Sequence, residues 1–95
     1  MSKIIELASV LKVCGHPLRL QILCAIVRNE ESCVSELWNC LGQPQPVVSQ
    51  HLAVLKKRGI VGSRVQGNKR VYSIINPFIK ELVQGLVREE AKTPG

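Results

Sequence analysis

Aromatic side chains are scarce: Trp38, Tyr72 and Phe78 are the whole set. Recognition of single-stranded RNA usually needs exposed aromatic platforms. Phe78 is expected to be buried, so too few aromatics remain for such a surface. Acidic residues are few as well, 7 Asp and Glu against 13 Lys and Arg, a formal charge of +6. That excess favours a polyanionic partner. No apolar run approaches the roughly 20 residues of a membrane-spanning helix, so no membrane partner is expected. Nothing reads as a signal peptide, so the cysteines are expected as free thiols in a reducing, cytoplasmic setting. The chain has no Cys-x-x-Cys, no HExxH-like pair, no phosphate-cradling glycine loop, and only His16 and His51 as histidines. With no convergent set of catalytic groups it is not expected to be an enzyme, to hold a resident metal or to need a cofactor.

What is present is enough for one domain, expected over residues 1–90, with a flexible tail over 91–95. A chain of 95 residues buries a modest share of its surface alone and gains from a partner subunit. From Lys3 to Cys14 polar residues recur at every third position and leave a wide apolar surface, the mark of a helix with two neighbours. Gly15 and His16 end it, and Pro17 opens a second helix to Arg28. That helix turns inward either Leu20, Leu23 and Val27 or Ile22 and Ile26. Cys33-Val34 reads as a short extended piece, Ser35 as the cap of a brief helix from Glu36 to Leu41, and Gly42 as its stop.

The turn Gln43-Pro44-Gln45-Pro46 leads into a helix that ends near Arg58 and Gly59. Beyond it the period becomes alternating, with two strands meeting at Gly67-Asn68, a favoured hairpin pair. Asn76-Pro77 then caps a last helix whose apolar residues come in pairs. Its stripe is broader than a small domain needs, so Leu82, Val83 and Leu86 are expected to form a dimer face. The fold class is mainly α with a small β-hairpin, a winged helix-turn-helix.

A short helix, a tight turn, a longer helix and a hairpin suit the major groove of double-stranded DNA. With Val48, Leu52 and Leu55 inward, Pro46, Ser49, Gln50 and Ala53 point outward, and Gln45 stands in the exposed first turn. Gln can pair with adenine, Ser with several base edges, and Ala can approach a thymine methyl. These five are the candidate base readers. Lys56, Lys57 and Arg58 at the helix end, and Arg64, Lys69 and Arg70 around the hairpin, are placed for phosphates. His51 reads as a packing histidine. The rival reading is a winged helix that binds a protein or RNA, and the polar outward face speaks against it.

"GHPLRLQIL", "SCVSEL", "QPQPVVSQHLAVLKKRGIV" and "RVQGNKRVYSI" occur in the order and spacing of ArsR-type repressors, which the chain resembles over about residues 5 to 88. The resemblance implies a homodimer through the first and last helices, with Ile4, Leu7 and Leu11 of the first helix joining the stripe of the last, that binds imperfect palindromes in promoters and is released by an inducer. Pro44 stands where many relatives carry a capping Ser. In arsenic-responsive relatives three thiolates hold the ion, but here only Cys33 matches, with Ser35 and Trp38 at the other positions. The histidine ligands of zinc-type relatives are missing from the last helix. Persulfide-responsive relatives use a cysteine in the second helix, matched by Cys24, and one in the last, which is absent. Cys14, Cys24 and Cys33 therefore stand as candidate thiol sensors of a metalloid, persulfide or oxidant. The alternative is that Cys14, Cys24 and Cys40 are small buried hydrophobes.

Overall fold

The computed structural model describes residues 2–29 and 32–92. In chain order it contains α1 (Ser2–Cys14), α2 (Pro17–Arg28), β1 (Ser32–Cys33), α3 (Val34–Leu41), α4 (Gln45–Lys57), β2 (Val61–Gln66), β3 (Lys69–Ile74) and α5 (Pro77–Lys92).

Local chemistry explains the element ends. Pro17 sits in the first turn of α2, where its missing N–H costs nothing, and the His16 ring accepts a hydrogen bond from the Leu18 N–H. At the end of α4, Gly59 donates to Lys56 and Ile60 to Leu55. This Schellman closure needs a left-handed residue, and Gly59 supplies it with φ 73°. The two-residue hairpin loop likewise starts on Gly67 at φ 67°. The side chain of Asn76 accepts from the Ile79 N–H at 3.0 Å and caps α5.

Packing centres on α2. Ile22, Leu23, Ala25 and Ile26 are all buried, so the two inward faces left open by periodicity merge into one broad face. Leu20 and Val27 stay half-buried at its margins. The reason is that α2 touches α1, α3, α4, α5 and β3. Leu37, the stripe Val48, Leu52 and Leu55, then Ile60, Val61, Ile79 and Val83 close around it. Each large aliphatic side chain removed from water stabilises the fold by about 1.5–3 kcal/mol.

The sheet has three strands in the order β1-β3-β2, all antiparallel. Only the hairpin was expected as a paired sheet. The extended piece at Ser32–Cys33 joins β3 opposite Tyr72 and Val71, because β3 would otherwise leave one edge unpaired.

Several expectations change. The turn before α4 ends at Pro44, and Gln45 and Pro46 already lie in the helix. The helix α3 starts at Val34, so Ser35 lies within it rather than before it; the side chain of Ser35 is outside the described residues. The tail is shorter than expected, since Ala91 and Lys92 belong to α5, and 93–95 lie outside the described residues. Phe78 is 37% exposed. Val83 is fully buried; it faces α2 rather than a partner because α5 packs along α2 and draws Ile79 and Val83 to that side.

Candidate nucleic-acid interface

Helix α4 is held on the core by Val48, Leu52 and Leu55, and everything opposite that stripe is left to solvent. Gln45, Pro46, Ser49, Gln50 and Ala53 are all exposed, in keeping with the helical step of about 100° per residue. Its entry is unusual. Pro44 is the N-cap residue, in extended conformation and without a side-chain cap. Pro46 has no N–H to orphan, and the Val47 N–H reaches the Pro44 carbonyl at 3.1 Å. Proline thus removes donors that a capping Ser would satisfy.

The hairpin is joined to the end of α4 through Ser63. Its Oγ accepts from Lys56 Nζ at 3.0 Å and from Arg70 at 3.1 Å. Two cations converge on one neutral hydroxyl and raise the local positive potential beside the exposed face. Lys57, Arg64 and Lys69 are exposed near this pair along the chain. Arg58 is set apart: its guanidinium donates to Ser9 of α1 at 2.7 Å. It ties the end of α4 to α1 in this conformation instead of extending toward a phosphate.

His51 is half-buried, as expected of a packing histidine. Its Nδ1 accepts from Arg19 Nε at 3.2 Å, and its ring lies 4.6 Å from that of His16, centroid to centroid. Burial holds its pKa below the usual value, reinforced by His16 and Arg19. Sequence reasoning singled out neither partner. The signal was available in "HPLR", where His16 and Arg19 bracket the first turn of α2 and so share one end of it.

The thiols fall apart into different environments. Cys14 is buried in the core, and burial pushes its pKa up, against a smaller opposing pull from Arg19. Cys24 is half-buried and also pushed up by burial, offset in part by Arg28. Cys40 is exposed rather than buried. The side chain of Cys33 is outside the described residues. Cys24 and Cys40 line one cleft of about 500 Å³ between α2, α3 and α5, with Leu20, Leu41 and Leu86. The Arg28–Glu90 ion pair also lines it. Among the described residues no cluster of three metal-ligating side chains occurs, and no single helix is long and apolar enough to cross a membrane.

A second surface is apolar. Ile4 and Ile5 are 67% and 66% exposed, and Leu11, Leu82 and Leu86 are 37–40% exposed. Leu7 is half-buried. Ile5 belongs to the wide apolar surface expected of α1 but was not among the residues expected at the dimer face.

Comparison with known proteins agrees with this architecture. Residues 16–63 match the family model described as bacterial regulatory protein, arsR family. An uncharacterised HTH-type transcriptional regulator of Methanocaldococcus jannaschii is 38% identical over 84 residues, covering 88% of this chain and 94% of that protein. The crystal structure of the transcriptional repressor BigR from Xylella fastidiosa superposes with a TM-score of 0.82 at 32% identity, covering 99% of this chain and 93% of that one. The solution structure of a homodimeric winged helix-turn-helix DNA-binding domain from Mycobacterium bovis gives a TM-score of 0.77 at 28% identity, covering 95% and 82%.

Proposed function

Because the chain belongs to the arsR family of bacterial regulatory proteins, we propose that it is a homodimeric repressor that binds imperfect palindromes in double-stranded DNA and is released by an inducer. In this reading α4 enters the major groove. Gln45, Ser49 and Gln50 read base edges, while Pro46 and Ala53 set how closely the helix approaches. Lys56, Lys57, Arg64, Lys69 and Arg70 hold phosphates on either side. Arg58 joins them only by leaving Ser9. The protein works in the cytoplasm, the compartment that holds the DNA.

One observation supports this most strongly: the exposed face of α4 is polar and continuous with the cations gathered on Ser63. A protein-binding module would instead place apolar anchors there. Dimerisation through α1 and α5 is supported by the exposed aliphatic residues of those helices and by the homodimeric relative. Two copies related by a two-fold axis would present two α4 helices to a palindrome.

A thiol-reactive inducer would meet Cys24 and Cys40 in their shared cleft before it met the buried Cys14. The test is binding of the reduced protein to the DNA upstream of its own gene and to random DNA across salt, repeated with arsenite, zinc and a persulfide donor. Preference for the upstream DNA supports the reading, and equal or absent binding overturns it in favour of an interaction module. Release by one of the three reagents assigns the inducer class; indifference to all of them leaves the cysteines structural.

A further inference from the structure

Arg19 of α2 bridges the last turn of α1 to the middle of α4, as Arg58 ties α1 to the end of α4 through Ser9. The Nη1 of Arg19 donates to the Val13 carbonyl at 3.2 Å, in the last turn of α1, where carbonyls have no helical partner and a cation is favoured. Its Nε donates to His51 Nδ1 at 3.2 Å. The planar guanidinium makes both bonds at once, which a lysine ammonium cannot do with the same geometry. One arm therefore rests on a helix of the apolar surface and the other on the helix that presents Gln50, the residue beside His51.

The second bond exists in only one protonation state. Nδ1 accepts a hydrogen bond from Arg19 only while it carries a lone pair, so the ring is neutral with its proton on Nε2. On protonation Nδ1 becomes a donor facing a donor, and a cation faces the Arg19 cation with His16 close by. The groups acting on His51 are His16 from the α1–α2 corner and Arg19 from α2. Other ionisable groups on the elements packed against α4 are Cys24 and Arg28 on α2, Glu36 and Cys40 on α3 and Arg64 on β2.

We propose that Arg19 is a positioning residue for DNA binding: by bridging Val13 and the neutral ring of His51 it fixes α4 relative to α1, and protonation of His51 releases that hold. This rests on α4 being the recognition helix. Operator affinity then falls as the solution becomes acidic, although the basic surface alone would hold or gain affinity as protons are added.

The experiment is fluorescence anisotropy with upstream and random DNA from pH 8 to 5.5, paired with NMR titration of the His51 ring in the intact protein. The expected wild-type result is a fall in operator affinity of about tenfold, with a midpoint that coincides with the His51 titration and lies below the ordinary histidine range. His51→Asn keeps an acceptor near the Nδ1 position and is expected to bind with a flat profile. Arg19→Lys keeps the charge without the fork and is expected to bind weakly at pH 8 and to lose the step. Operator affinity that is flat or rises as pH falls overturns the proposal, as does a step that persists in His51→Asn. If the variants do not fold, wild-type NMR decides: a ring that titrates at or above the ordinary range overturns it. Absence of any preference for upstream DNA at pH 8 would instead overturn the reading of α4 itself.

Discussion

The molecule carries two exposed surfaces of opposite chemistry. Along α4 and the hairpin, the exposed side chains are mainly amides, hydroxyls and cations, with Pro46, Ala53 and Val65 among them, and two cations, Lys56 and Arg70, are held by hydrogen bonds to Ser63. Along α1 and α5, the exposed side chains include Ile4, Ile5, Leu11, Leu82 and Leu86, which have no polar reach at all, beside charged residues such as Lys3, Lys12, Lys80 and Glu81. The contrast is instructive because both surfaces arise from amphipathic helices. In α4 the apolar stripe is narrow and one core suffices to cover it. In α1 and α5 it is wider than one small core can cover.

The sharpest way to break the comparison is to put charge on the apolar surface. Leu82→Glu combined with Ile4→Glu is expected to convert a dimer to a monomer in light scattering. Operator affinity should then fall by roughly 100-fold or more, since the second half-site loses its tethered partner. A dimer that persists would move the interface elsewhere. On the polar surface, Gln50→Ala is expected to cost about 1–3 kcal/mol on the operator and little on random DNA. Equal loss on both would remove Gln50 from base reading.

Smaller effects sharpen the picture. Asn76→Ala removes the cap of α5 and should lower stability by about 1 kcal/mol in urea unfolding, without altering sequence preference. Lys69→Ala is expected to reduce the salt slope of binding by about one, equally on both DNAs. The smallest effect concerns acid stability. The folded pKa of His51 lies below the ordinary 6.5, so near and below that pH the unfolded chain takes up more protons than the folded one. Unfolding free energy should therefore be at its full value above pH 6.5 and decline as pH falls toward the folded value. His51→Asn should remove that part of the decline.

Much of the fold was legible because its signals are local. Pro17, Gly42, Gly59 and Gly67 mark element ends through backbone restrictions that act within a few residues. The stripe Val48, Leu52 and Leu55 likewise placed the outward face of α4. Where sequence reasoning missed, the cause was a contact distant in the chain. Periodicity put Val83 and Leu82 on one stripe; only the seat of α5 on α2 divides them into core and surface. Phe78 looked buried by type, and its position at the start of α5 leaves it at the rim. Cys40 follows Leu37 at the spacing of an inner face, yet Leu37 enters the core while Cys40 is left exposed beside the cleft that α5 lines with α2.

The amino-acid sequence by itself determined the order of elements, the polar outward face of α4, the basic hairpin and the surplus of apolar surface on the terminal helices. Each of these depends on residue type and helical or strand period alone. Tertiary structure alone decided that Arg19 meets His51, 32 positions along the chain, that Cys24 and Cys40 share a cleft while Cys14 sits in the core, and that β1 completes the sheet. Those are pairings across sequence distance, and no local pattern encodes which distant side chain will arrive.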